Sequence, residues 1–164
     1  MYLPGHIGIA LLVFAPLGAV LLATARIRLA ASGAIVSVVA ATLPDIDLFV
    51  AALSHRGLTH TLACAVLVGA ALGAVASCSL SSRHPRRYAL RAGLWVWFTT
   101  TLSVCSHLLG DVVTPMGIRP FGPVSDAHLT LSLVYSRNPQ ANTALLFAGG
   151  TTTAAYWWHG IGAG

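Results

Sequence analysis

Residues 92–111 read AGLWVWFTTTLSVCSHLLGD, and the reading of this stretch decides the fold. From Ala92 to Leu109 it carries no formal charge, over a length that approaches the roughly 20 apolar residues needed to cross a bilayer core. It closes on His107 and Asp111, which at i and i+4 share one face of a helix. An apolar helix ending on an imidazole and a carboxylate is a membrane span with a polar site at one end.

Working outward, comparable apolar runs occupy residues 7–25, 29–43, 61–80 and 141–158. The chain of 164 residues is 56% hydrophobic and 8% charged with a mean hydropathy of +0.79, which excludes an ordinary soluble domain. The expected fold is all-α: a polytopic membrane helix bundle of about five transmembrane helices in a single domain, 1–164. The second run either stops at Pro44 or continues through Asp45 and Asp47 toward Leu53, and both readings stay open. No Lys or Arg precedes the first run, which is too long for the apolar region of a signal peptide, so it is expected to remain in the mature protein.

All nine basic residues are Arg, and the formal net charge is +5. In a soluble protein this excess would point to nucleic acid; here the positive-inside rule accounts for it, and no nucleic-acid partner is expected. Arg26 and Arg28 follow the first run, and Arg83, Arg86, Arg87 and Arg91 lie between the third and fourth. Both connections fall on one side, assigned to the cytoplasm. The protein is therefore expected in the cell membrane, multi-pass, with its N-terminus outside. Cys64, Cys78 and Cys105 fall within predicted helices, where a structural disulfide is not expected.

Only four acids occur, all Asp, and three of them stand beside histidines. Asp45 and Asp47 lie in LPDID (43–47), followed by HRGLTH (55–60), and Asp111 closes HLLGD (107–111). Carboxylates this scarce, paired with imidazoles in so apolar a chain, read as metal ligands. His107 and Asp111 can hold one ion, or the carboxylate can bridge two. Asp45 and Asp47 cannot share a helical face. On an extended or turning segment after Pro44 they point the same way, one ligating and the other orienting an imidazole.

His60 is the favoured ligand of its segment, with His55 a further ligand or a proton carrier, and Arg56 is expected to hold an anionic group by a charge-assisted bond. With His6 at the start of the first helix, the metal set is His6, Asp45, Asp47, His60, His107 and Asp111, and the catalytic pair is Arg56 and His55. All lie at the extracytoplasmic face. His84 and His159 lie at the opposite face, outside the site; Asp126 and His128, in the loop on the site's side, read as solvated loop residues, with an extra metal ligand as the alternative.

Between the fourth and fifth helices, residues 112–137 contain Pro115, Pro120 and Pro123 with Gly117 and Gly122, which exclude one regular helix. The alternating tail 129–133 is expected to lie along the interface over the site. Asn138-Pro139 reads as an N-cap and first helical residue. Gly69 and Gly73 read as close packing inside the bundle rather than a dimer interface. Trp157 and Trp158 suit the aromatic belt at the cytoplasmic end.

The spaced elements Leu-Pro-Asp-x-Asp (43–47), His-Arg-Gly-x-Thr-His (55–60) and His-x-x-x-Asp-x-x-Thr-x-x-Gly (107–117) resemble those of the membrane-bound metal-dependent hydrolases often called YdjM-like. The resemblance takes in His6, Pro120 and Asn138-Pro139 and so runs over most of the chain. That family is distantly similar to zinc-dependent phospholipases C and related single-strand nucleases. Carried over by motif, one metal would use Asp45 or Asp47, His60, His107 and Asp111, and a second would share Asp111 with His6. The third ion of those enzymes uses a further His and Glu set, and this chain has no Glu.

The function these readings imply is a membrane-embedded hydrolase using one or two divalent ions, expected to be zinc, to activate water against a phosphoester. Arg56 or Arg119 would neutralise the phosphate. Expected partners are membrane lipids, with a phospholipid headgroup or another extracytoplasmic phosphoester as substrate. The alternative is a metal-binding membrane protein without catalysis, a transporter or assembly factor. Transport would place ionisable groups near the bilayer midplane, whereas here they gather at one end.

Overall fold

The computed structural model describes residues 1–162. Five helices run antiparallel in chain order: α1 (Leu3–Ala23), α2 (Ile27–Ala40), α3 (Leu62–Ser81), α4 (Arg86–Val112) and α5 (Pro139–Gly162). Four spans are long and apolar enough to cross a membrane: Leu3–Ala23, Ile27–Phe49, Leu62–Ser81 and Arg86–Val112. α5, at 24 residues, has the length. Its Thr151-Thr152-Thr153 run, Asn142 and His159 make it less apolar than the others, and it lies against α1. The domain read over 1–164 is thus described as far as residue 162.

The helices are longer than the apolar runs wherever polar residues can continue the backbone pattern. α4 begins at Arg86, after Pro85, because Arg is a good helix former and its head reaches water from the helix end. α1 begins at Leu3, with Pro4 in its first turn, so His6 stands inside the helix rather than at its opening. α2 stops at Ala40, and the chain tightens through Leu43 N–H to Ala40 (3.2 Å) and Ile46 N–H to Leu43 (3.2 Å) into a 3-10 helix at Pro44–Phe49. Both alternatives for the second run are thereby met in part: the α-helix ends before Pro44, yet the apolar span runs on to Phe49.

α4 is the hub, packing on α1, α2 and α3, while α3 sits at the edge against α4. Small and hydroxyl residues let these helices approach. A Cβ on Gly73 would overlap the Gly93 backbone, and one on Gly8 that of Leu145 in α5, so the Gly69/Gly73 pair faces α4 inside the bundle. Ser103 donates to the Ser37 carbonyl at 2.6 Å and Trp95 Nε1 to Ser32 at 3.0 Å, joining α4 to α2. Phe14, Leu21, Leu22 and Ala30 form the apolar core toward the other end, with Trp157 packed on it, while Trp158 is exposed.

The loop before α5 satisfies the end of α4. Leu131 N–H donates to Val112 (2.7 Å) and Leu133 N–H to Val113 (2.9 Å), while Ile118 and Leu129 form an isolated antiparallel bridge. The tail 129–133 therefore caps carbonyls that the helix leaves open. Asn138 Oδ1 accepts from Ala141 N–H at 3.1 Å, the expected N-cap of α5. Asn142, one turn on, accepts from Tyr2 N–H at 3.0 Å and ties α5 to the start of α1. Cys64, Cys78 and Cys105 are free thiols.

Candidate metal centre

The antiparallel order brings the start of α1, the 3-10 helix after α2, the approach to α3 and the last turn of α4 to one end of the bundle. There His60 Nε2, His107 Nε2, Asp45 Oδ1 and Asp111 Oδ2 converge. His60 Nε2 lies 3.2 Å from His107 Nε2, 3.3 Å from Asp111 and 3.7 Å from Asp45, and His107 Nε2 lies 3.6 Å from Asp45 and 3.5 Å from Asp111. A tetrahedral ion with bonds of about 2.0–2.1 Å holds its ligand atoms about 3.3–3.4 Å apart. These five separations, 3.2–3.7 Å, lie close to that size, and Asp45, His60 and His107 form a group whose ligand atoms are near enough for one ion.

The tautomers are fixed from outside. Because α2 ends at Ala40, the Ala41 carbonyl is free to accept from His107 Nδ1 at 2.7 Å. Asp47 Oδ2 lies 3.2 Å from His60 Nδ1. With their hydrogens on Nδ1, both imidazoles turn bare Nε2 lone pairs toward each other and toward two carboxylate oxygens. Asp111 Oδ2 is buried and has no hydrogen-bond partner among the described residues. Four electron-rich atoms in a nearly dry pocket require a cation or a shared proton between them. In the metal-free state burial works to lower the His60 pKa, but the carboxylates of Asp111, Asp45 and Asp47 beside it outweigh burial and raise it.

The 3-10 turn corrects one expectation: Asp45 and Asp47 point to different places. Asp45, one-fifth exposed, looks into the converging set. Asp47 is enclosed by His55 Nδ1 (3.0 Å), Arg56 N–H (3.0 Å), Thr59 Oγ1 (2.9 Å) and His60 Nδ1 (3.2 Å). Its carboxylate holds the HRGLTH turn and orients His60. Within that turn Arg56 has φ of +60°, a left-handed conformation unusual for a residue with a side chain, kept by bonds at both its backbone and its guanidinium.

Arg56 also differs from expectation. Its guanidinium donates to Asp111 Oδ1 (2.7 Å), Thr114 Oγ1 (2.9 Å), Gly117 O (3.1 Å) and Ser136 Oγ (3.3 Å), so it is bound up in fixing Asp111 rather than open to an anion. Asp111 Oδ1 also meets the Met1 ammonium. His6 stacks on His107 with ring centroids 3.5 Å apart, lies 3.0 Å from the Met1 carbonyl through Nε2, and stands 3.5 Å from Asp111 Oδ1. It flanks the set, and the oxygen it approaches already faces two cations. His6, His107 and Asp111 still form a group with ligand atoms close enough for an ion, as do Asp47, His55 and His60.

Sequence reasoning missed the Met1 backbone, Ser136 and the Ala41 carbonyl, which carry no motif. Thr59 and Thr114 stood inside the motifs but were given no role. Arg119 pairs with Asp126 at 3.6 Å, both exposed, and His128 lies 2.8 Å from the Met116 carbonyl. None of the three joins the set. A cleft of about 650 Å³ opens over Asp45, bounded by the start of α1, the 3-10 helix, His55, Arg56 and Arg137.

The family described as YdjM inner membrane protein matches residues 1–163. No curated protein and no solved structure matches the chain.

Proposed function

We infer that this chain, which belongs to the YdjM inner membrane protein family, is a metal-dependent hydrolase that holds one divalent ion between His60, His107, Asp45 and Asp111 and acts on a phosphoester. The observation that carries the metal is the set of donor separations, 3.2–3.7 Å, made by lone pairs that have no other use. Two imidazoles and two carboxylates suit zinc, with manganese as a substitute. A second ion beside His6 is not favoured, because the Arg56 guanidinium already neutralises Asp111 Oδ1.

When bound, a divalent ion supplies Lewis acidity, bringing the pKa of a coordinated water toward about 7 and polarising a phosphoryl oxygen. Asp45 supports catalysis over a sealed structural site: it is the exposed member of the set and lines the cleft, through which substrate and water would arrive. In hydrolysis a water oxygen bonds to phosphorus, the bond from phosphorus to the leaving oxygen breaks, and that oxygen takes up a proton. His55, half-exposed with Nδ1 against Asp47, has Nε2 free to carry that proton. Arg56 holds Asp111 in place, and Arg137 is the cation open to the anionic substrate. The positive-inside rule supports an extracytoplasmic site.

A second reading has its own support. Four candidate ligands from three chain segments would staple the end of α2, the approach to α3, and α4, as a structural ion does. The experiment that separates them is metal analysis of detergent-purified protein, followed by assay of a phosphomonoester and phosphodiester panel with and without chelator. Turnover lost on chelation and restored by zinc or manganese supports the hydrolase. A full metal site without turnover on the whole panel leaves the structural ion.

A further inference from the structure

We propose that the substrate is a membrane phospholipid that reaches the centre sideways from the bilayer, its acyl chains lying against the 3-10 helix and its phosphate meeting Asp45 and Arg137. This rests on the hydrolytic reading of the metal centre. The cleft over Asp45 has two characters. Its lining is of two kinds, the apolar side chains Leu3, Leu43, Ile46, Leu48, Phe49 and Met116 and the polar or charged Asp45, His55, Ser136 and Arg137.

The apolar wall is open. Leu48 is 60% exposed, Phe49 86% and Met116 62%, values that for side chains of this size are unfavourable against water by about 25 cal/mol per Å² of apolar surface. The segment that presents Leu48 and Phe49 is the end of the apolar span Ile27–Phe49, so the wall continues a membrane-crossing helix and faces acyl chains. Arg137, in the same lining, is exposed and pairs with no carboxylate among the described residues. A free cation, exposed apolar side chains and one exposed metal-ligand carboxylate lining the same cleft match an amphiphile whose phosphate joins chain to headgroup. A water-soluble phosphoester would use the cation and leave the wall without a role.

The test uses metal-loaded protein in phosphatidylcholine vesicles. Phosphatidic acid, phosphatidylglycerol and phosphatidylethanolamine are each assayed beside the deacylated glycerophosphate counterpart, with wild type and a Leu48→Asn, Phe49→Asn variant whose exposed positions leave the fold and metal content intact. The expected result is turnover of a diacyl lipid with kcat/KM at least about a hundredfold above its deacylated counterpart, falling about tenfold in the variant. Equal turnover of both forms, unchanged in the variant, overturns lipid access and leaves the hydrolase standing. If no compound is turned over with the metal site full, the hydrolase reading fails, and a phosphatidic acid carrying a diazirine on its acyl chain decides the cleft separately. Saturable labelling of residues 43–49, competed by unlabelled phosphatidic acid and lost in the variant, supports the cleft as a lipid site. Labelling spread evenly over the exposed helices overturns it.

Discussion

The two ends of α4 treat ionisable side chains in opposite ways. At its start Arg86, Arg87 and Arg91 are exposed, as are Arg26, Arg28, Arg83 and His84 on the neighbouring turns; they diverge, and each is solvated on its own. At its end His107 and Asp111 are 0% and 1% exposed and lie within 3.7 Å of polar atoms of His60, Asp45, His6 or Arg56. Both ends are polar caps on an apolar bundle. What separates a topological signal from a site is convergence with burial: a solvated arginine costs nothing to keep, whereas a buried carboxylate persists only when its neighbours compensate its charge.

The largest expected effect breaks the site end outright. Asp111→Ala removes the acceptor shared by Arg56, the Met1 ammonium and three imidazoles, so the protein should lose its metal and about 3–5 kcal/mol of stability. Elemental analysis and denaturation in detergent check this, and full retention of metal would erase the contrast between the ends. Next, His107→Ala should weaken metal binding by more than about a hundredfold, beyond the 10–100-fold of an outer partner, while His84→Ala at the other end changes nothing. Competition with a chromogenic chelator measures both.

Asp47→Asn sharpens the contrast within the site. It keeps the four converging atoms but loosens the hold on His60, so a fall in affinity of about 10–100-fold is expected, with the Asp45→Asn change the larger. The reverse order would exchange the roles of the two aspartates.

A pH prediction follows from His60. Its pKa is raised on folding by Asp111 and Asp45, so in metal-free protein its contribution to stability is fully present below its unfolded pKa and is lost as pH rises through the folded one. Metal-free protein should therefore melt at lower temperature as pH rises through that window. Metal, which needs neutral imidazoles, should reverse the trend. The slope should vanish in a metal-free His60→Gln protein, and a slope that persists there would assign it to another group.

The smallest effects belong to the arginine end. Arg86→Cys, on a background lacking Cys64, Cys78 and Cys105, should change stability by no more than about 0.5 kcal/mol. It should react with a membrane-impermeant thiol reagent only after the cells are permeabilised, while Arg119→Cys reacts in intact cells. Reaction at position 86 from outside would invert the orientation without touching the contrast between the ends.

By itself, the sequence determined the membrane-protein class, the five helices and the end at which the histidines and aspartates gather, because a run of apolar residues has one stable backbone in a bilayer and its ends must face water. It also placed His107 and Asp111 on one face, since spacing specifies direction inside a regular helix. Only the tertiary structure decided which of Asp45 and Asp47 looks into the set, that Arg56 serves Asp111, and that His6 stacks beside His107. Those side chains stand on a 3-10 turn, on a left-handed residue and on a separate helix. Their directions come from where α2 ends, from the Ala41 carbonyl that its ending frees, and from how α1 and α4 pack, none of which local spacing encodes.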